Sequence, residues 1–164
     1  EVVGHLTVLA ERIHRRFGDL PLGINVLRND GCAALAIAHA VGARFIRVNV
    51  LCGARVTDQG ILQGIAHDLL RRRAGLGARD VRIFADVDVK HSSALGETPI
   101  EQQVTDTIQR GLADAVIVSG PGTGRSIDRN HLERIRRVCG ETPLLVGSGV
   151  NLPKSWVSPL LKKE

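Results

Sequence analysis

Apolar and polar positions alternate along Val81–Lys90. Val81, Ile83, Ala85, Val87 and Val89 make one aliphatic face; Arg82, Phe84, Asp86, Asp88 and Lys90 make the other. This period of two predicts a strand with one buried face and a second face that turns charged toward its C-terminal end. The design recurs upstream. In Phe45–Val50, Ile46, Val48 and Val50 oppose Phe45, Arg47 and Asn49; in Pro21–Leu27, Leu22, Ile24 and Val26 oppose Gly23 and Asn25. Ala115–Ser119 and Pro143–Val146 read as two further short strands, running into Gly120–Gly124 and Gly147–Ser148–Gly149.

Helical periods fill the intervals. Val2, Val3, Leu6, Leu9, Ala10, Ile13 and Phe17 predict an amphipathic helix over 1–17, stopped by Gly18. Asn29-Asp30-Gly31 turns into an Ala-rich helix over about 31–41, closed by Gly42. Thr57-Asp58 is positioned to cap a third helix carrying Ile61, Leu62, Ile65, Leu69 and Leu70 to Gly75. Thr98-Pro99-Ile100-Glu101 has the form of a capping box with proline at the first helical position, ahead of Ile100, Val104, Ile108 and Leu112. A last helix over about 128–139 buries Leu132, Ile135 and Val138. Five strands alternate with helices and no hairpin turn joins one to the next, which predicts a parallel α/β architecture. Residues 1–150 form the expected domain. Residues 151–164, with Pro153, Trp156 and Pro159, show neither period and read as an irregular tail.

Composition narrows the class. Hydrophobic residues make up 43% of the 164 residues and aromatics only 2%, so the core is aliphatic, as suits a parallel sheet covered by helices. The net charge of +5 is spread over helices. The scarcity of aromatic stacking partners argues against nucleic acid, and Arg71-Arg72-Arg73 fits a solvated helix C-terminus. Cys32, Cys52 and Cys139 are odd in number and far apart, as expected of reduced thiols in a cytoplasmic protein, and none has metal-ligand spacing with a histidine. His5, His14, His39, His67 and His131 read as surface or core-edge residues of helices, and His91 as a loop residue. No apolar run approaches the ~20 residues of a membrane span. The chain has no methionine and opens on Glu1, which reads as a fragment or processed product.

Several segments carry a resemblance. Pro21–Asp30, Phe45–Val50, Thr57–Gly60, Phe84–His91, Gly111–Ala115 and Val146–Gly149 resemble, in order and without gaps, motifs of the BtpA family. That family is named for a photosystem I biogenesis protein and includes SgcQ-like members. The resemblance implies an incomplete (β/α)₈ TIM-type barrel of the ribulose-phosphate-binding kind, the five strands being its third to seventh. A whole barrel takes about 250 residues, so the first two strands and the eighth are expected to be missing. Leu161–Glu164 resembles the stretch after the eighth strand, as if an internal deletion or alternative exon had joined the two. Open barrel edges would offer a surface for homo-oligomers.

Asn25, Arg47, Asn49, Asp86, Asp88, Lys90 and Ser119 fall on inward faces near strand C-termini, where barrel sites are built. Asp86, Asp88 and Lys90 are the candidate catalytic set, able to position a phosphosugar, pass a proton, or hold a hard cation through the carboxylates. The neighbouring carboxylates raise a lysine pKa and so oppose a Schiff-base role for Lys90. The competing reading is an ion-pair network, with Arg47, Asp86 and Lys90 filling the barrel interior. Asn25, Arg47, Asn49, Ser119, Gly147, Ser148 and Gly149 are the candidate ligand-binding residues, the last three as a phosphate-binding turn. Gly120–Gly124 lacks the Lys-Ser/Thr of a P-loop. No cofactor is specified and no metal site is assigned. The expected function is binding of a small phosphorylated, sugar- or nucleoside-like ligand, with or without a lyase or nucleosidase type of turnover. The alternatives are a non-catalytic assembly factor for photosystem I biogenesis and an inactive fragment.

Overall fold

The computed structural model describes residues 1–89, 92–120, 122 and 124–150. The readings of Lys90, His91 and the tail with Trp156 lie outside them. The elements run α1 (Val2–Arg16), β1 (Gly23–Ile24), α2 (Gly31–Val41), β2 (Phe45–Val48), β3 (Ala54–Thr57), β4 (Gly60–Gln63), α3 (Ala66–Gly75), β5 (Arg82–Asp86), β6 (Ser92–Ala94), α4 (Ile100–Gln109), β7 (Ala115–Val118), α5 (Arg129–Cys139) and β8 (Leu144–Val146). The main sheet has the order β1-β2-β5-β7-β8. Every pairing in it is parallel, and the order follows the chain, as the alternation predicts. This is the arrangement of a partial TIM-type barrel.

The aliphatic strand faces and the helices enclose the core in two clusters. One gathers Ala34, Leu35, Ile37 and Ala38 of α2 with Ile46, Val48, Leu69, Val81 and Ile83. The other joins Val104, Val116, Val118, Ile135 and Cys139. On the opposite face Phe45 stacks on Phe84, with ring centroids 4.4 Å apart. A Cβ on Gly23 would lie 2.1 Å from the Phe45 ring, so only glycine admits that ring at the sheet edge.

Four local expectations are corrected. Residues 54–63 form an antiparallel hairpin, not the start of a helix, with Thr57 paired to Gly60 across the turn. Ile61 and Leu62 therefore belong to β4, and α3 begins only at Ala66. Short apolar runs satisfy either period, and Gly60 at φ 100 marks a turn that a helix would not contain. β6 pairs with β3 to complete a second, antiparallel sheet of three strands. Next, α4 starts at Ile100 with Pro99 at its cap and no side-chain capping bond, so the capping box does not form; Glu101 instead bonds Arg134 of α5 at 2.7 and 3.0 Å. Leu112 lies beyond α4, exposed, at φ 52. Finally, most of the apolar stripe of α1 stays exposed, including Val2, Leu9, Ile13 and Phe17; Ala10 is its buried residue.

Asn29 fastens the hairpin to the main sheet. It sits buried at φ 62, a conformation asparagine tolerates better than most residues. Its Nδ2 donates to Val50 O at 3.0 Å and Gln63 O at 3.2 Å, and its Oδ1 accepts from Val50 N at 2.8 Å. Asn29→Ala leaves those buried backbone groups without partners and should cost at least about 1–3 kcal/mol. Urea unfolding of the two chains measures this; an unchanged midpoint would show that the clamp contributes nothing.

Candidate functional site

The C-terminal ends of β2, β5 and β7 converge on a cleft of two adjoining cavities, of about 140 and 170 Å³. Asn49, Asp86, Val87 and Asp88 line both and so form the divide between them. Arg47 and Ser119 face the second cavity, together with Arg28 of the β1–α2 connection and Thr57 and Leu62 of the hairpin. The first cavity extends toward Arg55 and toward Gln103 and Asp106 of α4.

Asp86, last residue of β5, has a side chain only 5% exposed. A carboxylate removed from water needs charge-assisted hydrogen bonds to stay ionised. Arg47 supplies them from Nε to both oxygens at 3.2 Å and from Nη2 to Oδ1 at 2.9 Å. Asn49 Nδ2 adds a bond to Oδ2 at 2.7 Å. That bond fixes which way the Asn49 amide points. Its Oδ1 is buried and has no hydrogen-bond partner among the described residues.

Asp88 departs from simple alternation. The strand ends at Asp86, and Asp88 takes φ 54, so its side chain is set by the turn and not by the pleat. One oxygen lies 3.2 Å from Arg55 Nη2 and the other 3.2 Å from His131 Nε2. The second contact is close enough for an ion pair when the imidazole is protonated, though its angles are not those of a hydrogen bond. Arg55 is buried, and its three nitrogens reach Ser92, Gln103 and Asp88. Cys52 borders the first cavity, where burial, then the Asp106 carboxylate, pushes its thiol pKa up. It is therefore no activated nucleophile.

The remaining candidates lie apart. Asn25 is exposed beyond the two-residue β1. Gly147–Gly149 follow β8 and line neither cavity, but a Cβ on Gly147 would meet Ser119 Oγ at 2.8 Å, so the turn abuts the cleft wall. The turn is packed against the loop after β7: Ser148 Oγ accepts from Gly124 N at 3.2 Å, and Ser126 Oγ donates to Gly149 O at 2.9 Å. A Cβ on Gly149, at φ 70, would strike Arg125 O at 2.2 Å. Arg28, Arg55, Gln103 and Asp106 are not candidates in the sequence; Arg55 lies on β3, a strand that the expected helix from Thr57-Asp58 leaves without a pairing partner.

The family model that matches the chain is that of the BtpA family, over residues 1–158. The chain belongs to the BtpA family. It is 50% identical over 157 residues to an uncharacterized protein of Thermococcus kodakarensis, covering 94% of this chain and 58% of that protein. The photosystem I biogenesis protein BtpA of Synechocystis is 49% identical over 150 residues, 92% of this chain and 52% of that one. An uncharacterized mitochondrial protein of Caenorhabditis elegans is 36% identical over 131 residues, 79% and 47% of the two chains. The chain thus spans about half the length of the curated BtpA relatives it matches. No solved structure matches. No helix among the described residues is long and apolar enough to cross a membrane.

The two carboxylates should respond differently to substitution. Asp86→Ala strands the Arg47 guanidinium, whose 34% exposure places the loss near the lower end of the roughly 3–5 kcal/mol typical of a broken buried pair. Asp88→Asn keeps an acceptor for Arg55 at a position 47% exposed and should change stability by less than about 1 kcal/mol. Thermal melts of both variants check this ranking, and the reverse order would refute it.

Proposed function

We propose that this BtpA-family protein binds a small phosphorylated molecule, sugar- or nucleoside-like, in the cleft above β2, β5 and β7. The observation that carries the reading is the second cavity. There the Arg47 and Arg28 guanidiniums, 34% and 31% exposed, share one lining with the Ser119 hydroxyl. Partly exposed guanidiniums converging with a hydroxyl make a site for an anion, and arginine matches phosphate geometry. The phosphate belongs beside Ser119, on the side where that hydroxyl meets the Gly147–Gly149 turn. Asp86 serves to hold Arg47 in position. Asp88, more open to solvent, is the carboxylate placed to take a proton from a bound ligand. Lys90, two residues further, is the third member of the catalytic set.

A second reading is an assembly role, supported by the name of the Synechocystis relative and by the exposed apolar residues Leu9, Ile13 and Phe17 of α1. Ligand titration separates the two.

Calorimetry with ribose 5-phosphate and with inorganic phosphate should show saturable binding of each. Arg28→Met and Lys90→Met should each weaken it by about tenfold or more, since a charge-assisted hydrogen bond contributes roughly 1.5–3 kcal/mol. Melting temperatures should hardly move, because the Arg28 partner Asp58 is 65% exposed. No binding at millimolar concentrations would remove the ligand reading and leave the assembly role.

A further inference from the structure

The two cavities offer a ligand opposite chemistry. In the first, the donors of Arg55, Asn49 and Gln103 are already engaged. Arg55 is held by Ser92, Gln103 and Asp88, and Asn49 Nδ2 is committed to Asp86. Gln103 Nε2 donates to Thr98 O at 2.7 Å, and Thr107 Oγ1 donates to Gln103 O at 2.7 Å. Acceptors remain. Among the described residues Asn49 Oδ1 is buried without a partner, on a side chain that lines this cavity together with the Asp88 and Asp106 carboxylates. A buried carbonyl oxygen left unpaired is costly, and a ligand donor would recover that cost.

Resting on the phosphate-binding reading above, we infer that the first cavity selects the unphosphorylated end of the ligand by its hydroxyl groups, through Asn49 Oδ1 and the Asp88 and Asp106 carboxylates. The ligand then lies across the divide, its phosphate on the Arg28, Arg47 and Ser119 side and its vicinal hydroxyls on the α4 side. The class is a phosphorylated polyol or sugar of few carbons. Cavities of about 140 and 170 Å³ admit one such group each. The hairpin contributes to both walls: Ala54 and Arg55 to the first, Thr57 and Leu62 to the second. It thereby closes the site over a short ligand.

The test compares ribose 5-phosphate with n-butyl phosphate, which has a phosphate and similar reach but no hydroxyls, by calorimetry on the full chain. Ribose 5-phosphate should bind at least about tenfold more tightly. Asp106→Asn, an isosteric change near the surface, should reduce that preference several-fold while the affinity for n-butyl phosphate stays within about twofold. Melting curves confirm that the variant is folded. Equal affinity of the two probes for the unsubstituted chain would overturn the inference and leave phosphate binding intact. Equal loss for both probes in Asp106→Asn would also overturn it. Failure of both probes to bind would overturn the phosphate-binding reading and this inference together.

Discussion

A buried carboxylate at the end of the central strand constrains much of what surrounds it. Asp86 ends β5 with almost no contact to water, and Arg47 of β2 and Asn49 just beyond that strand supply hydrogen bonds that support its charge. Those partners reach it because Arg47 is in register with Phe84, one pleat below Asp86 on the same face. The same register stacks Phe45 on Phe84 beneath the ion pair, and Gly23 leaves room for the ring. A slip of one residue between β2 and β5 would send Arg47 into the aliphatic core and expose Ile46. Register, aromatic layer and ion pair therefore fix one another, and the floor of the cleft follows from all three.

Much of this was legible in the sequence because a parallel strand states its two faces residue by residue. Ile46 and Val48 against Arg47, and Ile83 and Ala85 against Asp86, mark the two faces in the sequence itself. The hairpin was not legible. Ile61, Leu62 and Ile65 fit a helical stripe as well as a strand, and what decides between them is the second strand, β3, with which β4 pairs. The periodicity of one short strand carries no record of the strand it pairs with. The same limit hid Arg55, whose burial depends on Ser92 and Gln103 from separate elements.

Alternation also has an end point. Extending the two-residue period from Asp86 to Asp88 assumed that the strand continued, yet β5 stops at Asp86 and the backbone at Asp88 turns to positive φ. Asp88 still borders the cleft, but it is held by Arg55 and His131, one from the hairpin and the other from the first turn of α5. An observer of the sequence alone would assign His131 to the outside of α5. The turn brings the carboxylate to it instead.

The position of the site within the sheet decides which strands support its geometry. Arg47, Asn49, Asp86, Asp88 and Ser119 all come from β2, β5, β7 or the residues just after them. Those three strands are interior: β1 covers one side and β8 the other. Their backbone pairing, and hence the geometry of the Asp86 cluster, does not require a strand beyond either edge. Gly147–Gly149 differ, since they follow the edge strand β8 and are braced from one side, by residues 124–126. The anchoring chemistry of the cleft is thus built into the interior of the sheet, whereas the glycine turn follows the last strand among the described residues.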